Sequence, residues 1–209
     1  MSHLTIFGRR CYVRGEVYNM KMNYKLALGV VLGLAATQMA WAEPTALDLV
    51  KKGDNYVGVQ SKNKILQIYS DKSVASLEPN IWHVVFFDPD TFFKSTDVKF
   101  GAGQEMEVAH PMHPFQFPAK PDQIMDLSKV RVDSDRALEI ASSQPLLKGL
   151  TLRESKLTLQ KMDGVPTWKV EFWAAKVNDP TKNAGIGSVC VSATDGSVLN
   201  MDLHPDNAG

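Results

Sequence analysis

The chain has 209 residues, 44% hydrophobic and 22% charged, and its 23 basic and 23 acidic side chains balance to a formal charge of zero. That composition supports a packed core and excludes a disordered polyelectrolyte tail. It also lacks the basic surplus by which a nucleic-acid-binding domain is recognised, so no nucleic-acid partner is expected.

Residues 21–42, KMNYKLALGVVLGLAATQMAWA, place Lys21 and Lys25 ahead of an apolar run from Leu26 to about Ala36. Ala40-Trp41-Ala42 then sets small residues at alternate positions before Glu43-Pro44. These are the parts of a secretory signal peptide cleaved after Ala42, and the apolar run is too short for a stable membrane span. Met20 or Met22 would open a conventional leader, so 1–42 is read as a signal peptide with an upstream extension, and the product is expected to be periplasmic or secreted. Residues 1–42 hold Arg9, Arg10, Arg14, Lys21 and Lys25 against Glu16 alone, so without them the 23 basic and 23 acidic residues become 18 and 22, a net charge of −4. Cys11 leaves with the leader. The remaining Cys190 has no partner for an internal disulfide, and its alternation with Val189 and Val191 marks it as a small side chain covered by a sheet.

Beyond the leader, Pro44-Thr45 opens a helical stretch, ALDLVKKG, and KILQIYS reads as a strand. In NIWHVVFFDPD, Trp82, Val84 and Phe86 share one parity, and His83, Val85 and Phe87 share the other. The stretch AHPMHPFQFPAKPD carries four prolines, which preclude a regular element, so it should connect two halves. Ser134 is read as the N-cap of a helix over about 135–143, with Ala137, Leu138, Ile140 and Ala141 as its apolar stripe. Lys156 to Met162 alternates, with Leu157 and Leu159 on one face and Thr158 and Gln160 on the other. Asp163-Gly164 signals a tight hairpin into GVPTWKVEFWA at 164–174. There Trp168, Val170 and Phe172 alternate with Lys169, Glu171 and Trp173. After a polar loop come GSVCVSA, a turn at Asp195-Gly196, and SVLNMDL. One helix followed by four antiparallel strands results, with Trp168, Val170 and Phe172 under the helix and Trp173 on the far face.

The first half echoes this order. Placing Trp82 on Trp168 sets Phe87 on Trp173, and placing Gly103 on Gly196 sets Met106 and Val108 on Leu199 and Met201. An internal duplication is therefore expected. The fold class is α+β, with two tandem modules, each a short helix on a small antiparallel sheet. Their bounds are 43–110 and 127–209, joined by a Pro-rich linker at 111–126. Two alternatives account for Phe87 and Trp173 on the outward parity: burial against each other's module, or a shared groove. Large unsupported aromatics usually end up packed, which makes burial the plainer of the two.

The second half resembles the PepSY family. The resemblance is carried by ALEIA at 137–141, by the P-x-W-x-V-x-F run of Pro166, Trp168, Val170 and Phe172, and by V-x-V-S-A-T-D-G-S-V-L from Val189 to Leu199. The first half resembles it through its Trp82 strand and layout, with GAGQ at 101–104 in place of the S-A-x-D-G hairpin. The resemblance implies a helix packed on an antiparallel sheet in a secreted or cell-envelope protein. Its implied role is binding, including peptidase regulation or inhibition, with no catalytic residues to carry over.

Chemistry-bearing motifs are sparse. G-x-S-x-G, H-E-x-x-H, a glycine-rich phosphate loop and C-x-x-C are all missing after the leader. The aspartates of FDPDTFF, Asp88 and Asp90, read as turn caps. A non-enzymatic binding protein without a cofactor is therefore expected. Its binding residues would be Trp173, Phe87, Lys169 and His83, and its partner an extended peptide or a secreted or envelope peptidase. A rival from another class is a periplasmic copper- or zinc-binding protein using His110, Met112 and His113 of HPMHP, where imidazole and thioether are suitable ligands.

Overall fold

A computed structural model describes residues 44–110 and 118–209, which belong to one compact unit. The leader reading, Met112 and His113 lie outside these residues. Among these residues the architecture mixes two α-helices with a single eight-stranded antiparallel sheet. In chain order the elements are α1 (Ala46–Gly53), β1 (Ile65–Ser70), β2 (Ile81–Phe87), β3 (Ser95–Gly101), β4 (Gln104–Ala109), α2 (Ser134–Ser142), β5 (Leu152–Met162), β6 (Val165–Ala175), β7 (Asn183–Ser192) and β8 (Val198–Leu203).

Both helices are short and amphipathic. α1 buries Ala46, Leu49, Val50 and Gly53, a stripe at helical spacing, with Asp48 in its first turn and Lys51 and Lys52 in its last to match the dipole. Gly53 is needed for contact: a Cβ there would stand 2.8 Å from the Phe86 ring. α2 buries Ser134, Ala137, Leu138 and Ala141. Its N-cap is Asp133 rather than the expected Ser134; the Asp133 carboxylate accepts from the Ser134 N–H at 2.7 Å and from the Leu47 N–H of α1 at 3.2 Å. Ser134 lies in the first turn, and its hydroxyl accepts from the Ala46 N–H at 3.1 Å. One carboxylate and one hydroxyl thus satisfy orphan donors at both helix starts.

Strand order across the sheet is β4-β3-β2-β1-β5-β6-β7-β8. A separate small sheet for each half is therefore corrected to one sheet, because β1 and β5 pair at its centre, Gln67 opposite Gln160 and Ile68 opposite Leu159. Serine side chains carry the seam beyond that ladder: the Ser70 hydroxyl accepts from the Leu157 N–H and the Ser73 hydroxyl from the Ser155 N–H. Two hairpins close on two-residue turns, Ala102-Gly103 and Asp163-Gly164, all four residues with positive φ, the conformation that twists with the strands.

The helices and the Trp-bearing parity of the strands form the main core. Trp168 is fully buried; its Nε1–H donates to the Val132 carbonyl at 2.8 Å, and its ring meets Trp82 edge-on at 6.4 Å. Val84, Phe86, Val170 and Phe172 complete the layer beneath the helices. The connecting segment from 118 to 132 holds two 3-10 turns and wraps from one face to the other. Ala119 and Ile124 pack on the outward face, whereas Met125, Val130 and Val132 enter the main core.

Candidate functional site on the outward face

Successive side chains of a strand point to opposite faces, so burying one parity under the helices presents the other as a second surface. Strand register aligns that parity into one row across the sheet: Glu107, Lys99, His83, Tyr69, Thr158, Lys169, Cys190 and Asn200. His83 and Lys169, distant in sequence, thereby share a row with Tyr69 and Thr158 between them. Cys190 is buried among its neighbours, which raises its thiol pKa against the opposing pull of the Lys169 charge. The thiol is a filler, as its alternation indicated.

A polar cluster occupies one half of the row. Tyr69 stacks on His83, with ring centroids 4.4 Å apart and planes 5° from parallel. The Tyr69 hydroxyl donates to Asp97 Oδ2 at 3.1 Å, and His83 Nδ1 lies 2.9 Å from the same oxygen. A carboxylate only accepts, so His83 donates through Nδ1–H. Nε2 faces Asp71 at 3.6 Å, and Lys99 reaches Asp71 at 3.8 Å. Burial, followed by the charge and hydrogen bond of Asp97, pushes the Tyr69 phenol well above its ordinary pKa. The group is a fixed donor on the floor of the face. Asp97 Oδ1 is buried and has no hydrogen-bond partner among the described residues. Among the described residues this cluster is joined by ring stacking, hydrogen bonds and ion pairs.

Trp173 lies across the central seam from that cluster. Lys72, just past β1, holds its ammonium 4.8 Å from the indole centroid and 2.6 Å from Glu154, which pairs opposite Trp173 on β5. The Lys72 hydrogen bond, opposed by burial, holds the Glu154 carboxyl below its ordinary range. On the other flank Gly185 of β7 leaves room for the ring; a Cβ there would stand 3.3 Å from Nε1. The indole is thus half-covered by cation–π and ion-pair contacts of residues on both sides of the seam. Beside it Lys169 and Glu171 pair at 3.3 Å.

Phe87 shares the outward parity but is not an accessible surface. It is 8% exposed and packs with Leu66, Val85 and Ala119, with Ile124 closing over the same cluster. Ala119 and Ile124, from the described end of the linker, cover it. β2 and β6 are antiparallel across β1 and β5, so Phe87 and Trp173 lie toward opposite ends of the sheet and neither buries the other. Tyr69, Asp97 and Lys72 are the residues of this face that the sequence reading missed. The alternation Gln67-Ile68-Tyr69-Ser70, past the bulge at Leu66, places Tyr69 on the Trp173 parity and could have found it.

His110 follows β4, and its Nδ1 lies 3.0 Å from the Thr96 hydroxyl. That hydroxyl is 2.6 Å from Asp88 Oδ2 and must donate to it, so Nδ1 of His110 donates to Thr96. Burial raises the Asp88 pKa, but the Thr96 hydroxyl and the Asp90 N–H outweigh it and hold the carboxyl below its usual range. The Asp90 N–H bond to Asp88 is the expected turn cap. Among the described residues no group of three or more His, Cys, Asp or Glu is arranged to hold a metal ion.

No helix among the described residues is long and apolar enough to cross a membrane. Comparison with known proteins found no match to any family, curated protein or solved structure.

Proposed function

We propose that this is a non-enzymatic, secreted or periplasmic binding protein whose outward sheet face receives an extended polypeptide. The observation that carries this reading is the asymmetry of the sheet. One face is sealed by two helices; the other bears the partly exposed row Lys99–His83–Tyr69–Thr158–Lys169 and the half-covered Trp173, whose contacts among the described residues include stacking and ion pairs. Rigid aromatic and charged side chains on a flat scaffold bind at low ordering cost, because the free surface already holds their rotamers. A peptide whose acidic and apolar side chains alternate would meet Lys169, Lys99 and Trp173.

The same reading takes the chain as two tandem helix-plus-sheet modules. Its support is a matched register: Trp82 faces Phe100 as Trp168 faces Val191, and Val98 faces Val108 as Val189 faces Met201. The PepSY resemblance of the second half then suggests a peptidase as partner, with regulation or inhibition as the outcome. The test is inhibition of secreted metallopeptidases by the protein and by Trp173→Ala and Lys169→Glu variants, alongside heteronuclear shift mapping with an extended acidic peptide. Shifts confined to Lys99, His83, Tyr69, Lys169 and Trp173 support the reading, and shifts confined to the helix face overturn it.

A further inference from the structure

On the opposite side of the sheet a cavity of about 120 Å³ opens where the starts of the two helices converge over the β1–β5 seam. Its apolar walls are Trp82, Leu138 and Leu157, and the prolines Pro44 and Pro79 frame it. Thr45 and Ser134 also line it, their hydroxyls already engaged by Asp48 and by the Ala46 N–H, together with Glu78 and Asp135. The Trp82 indole is held in place by its Nε1–H bond to the Pro79 carbonyl at 3.0 Å.

Charge selects the class of occupant. Two helix starts contribute about half a positive charge each, which alone would favour an anion. Asp133 already meets both of them, accepting from the Leu47 and Ser134 N–H groups. Lys52, the basic group near Pro44, is engaged by the Gly103 carbonyl and does not line the cavity. Glu78 and Asp135 remain, exposed and with neither ion pair nor hydrogen bond of their carboxylates among the described residues. An aromatic wall and two unpaired carboxylates lining one cavity suit a cation, and Leu138 and Leu157 suit a short alkyl stem. A space of this size holds the volume of about four waters, enough for a primary amine of about five non-hydrogen atoms.

We infer that the cavity is a site for a primary alkylammonium group, presented by a free aliphatic amine or by a lysine side chain of a polypeptide. This site is independent of the outward face and of the function proposed for it. The test uses the full-length, isotope-labelled chain and follows the Trp82 indole N–H resonance, assigned by its loss in Trp82→Phe. n-Butylammonium should shift it saturably, with a dissociation constant on the order of 1 mM, within the per-atom ceiling for small ligands. Neutral n-butanol and anionic butyrate should bind at least about fivefold more weakly, as should n-butylammonium to the Glu78→Gln/Asp135→Asn variant, while Asp135→Glu retains binding. Lysine blocked at its amino and carboxyl groups separates the sources: tighter binding than n-butylammonium supports a polypeptide side chain, and weaker binding a free amine. Equal binding of butanol, tighter binding of butyrate, no saturable shift, or indifference to the double variant would each overturn the inference.

Discussion

Replacing Trp168 by alanine probes the joint between helix, sheet and connecting segment in one step. The indole is fully buried, donates to the Val132 carbonyl and meets Trp82 edge-on. Truncating a buried tryptophan costs about 3–5 kcal/mol in lost transfer energy and residual cavity. The stranded Val132 carbonyl adds about 1–3 kcal/mol unless water reaches it, and the aromatic pair about 1 kcal/mol, although these contributions overlap. A loss of about 5 kcal/mol is expected, a large share of the roughly 5–15 kcal/mol by which domains are stable, with a melting point lower by about 15 °C. Trp168→Phe keeps the packing but loses the donor and should cost about 1–3 kcal/mol. Urea unfolding followed by circular dichroism checks both, with an unchanged denaturant slope confirming a stability effect. A Trp168→Ala loss below about 2 kcal/mol would refute the placement of this strand beneath α2.

Other outcomes follow from particular contacts. Phe87→Ala should cost about 3 kcal/mol and speed hydrogen exchange at the Ala119 N–H, which bonds the Phe93 carbonyl, because the side chain anchors the covering segment. Gly187→Ala should prevent stable folding: φ is +104° there and a Cβ would lie 1.9 Å from the Asp202 carbonyl oxygen, so the β7–β8 ladder must part. Tyr69 has a raised folded pKa, so its contribution to stability is full below about pH 10, where the unfolded phenol titrates, and declines as pH rises toward the folded value. Stability measured in steps above pH 10 should fall more steeply for the native chain than for Tyr69→Phe; equal slopes would remove Asp97 and burial as the cause.

Elements governed by local pattern were legible in the sequence. The alternation around Trp168 and Trp82, the Asp163-Gly164 hairpin and the α2 stripe each report their own geometry within a dozen residues. β3 was missed because STDVKFG alternates weakly, with Thr96 on its buried parity. The α2 cap moved by one residue because Asp133 and Ser134 are both good caps, and contact with α1 decides between them. Pairing of β1 with β5 leaves no local signal, since it joins strands about ninety residues apart. The outward site was half legible for that reason. Parity placed His83, Lys169 and Trp173 there, but only the seam brings Lys72 to Trp173, and only the β2–β3 register brings Asp97 to His83. Parity also placed Phe87 outward, and only the packing of Ala119 and Ile124 shows it covered.

The central claim is that the outward face binds, and Trp173→Ala tests it most directly. The indole is half-covered and its contacts are surface ones, so its removal should lower the melting point by only a few degrees. Thermal unfolding and peptide affinity are measured on the same preparation, with the peptide first identified by shift mapping on the native chain. The account predicts near-native unfolding with affinity reduced at least about tenfold, the scale of an aromatic anchor in an interface. Native affinity in the Trp173→Ala protein, or a collapse of stability that accounts for lost binding, would contradict it.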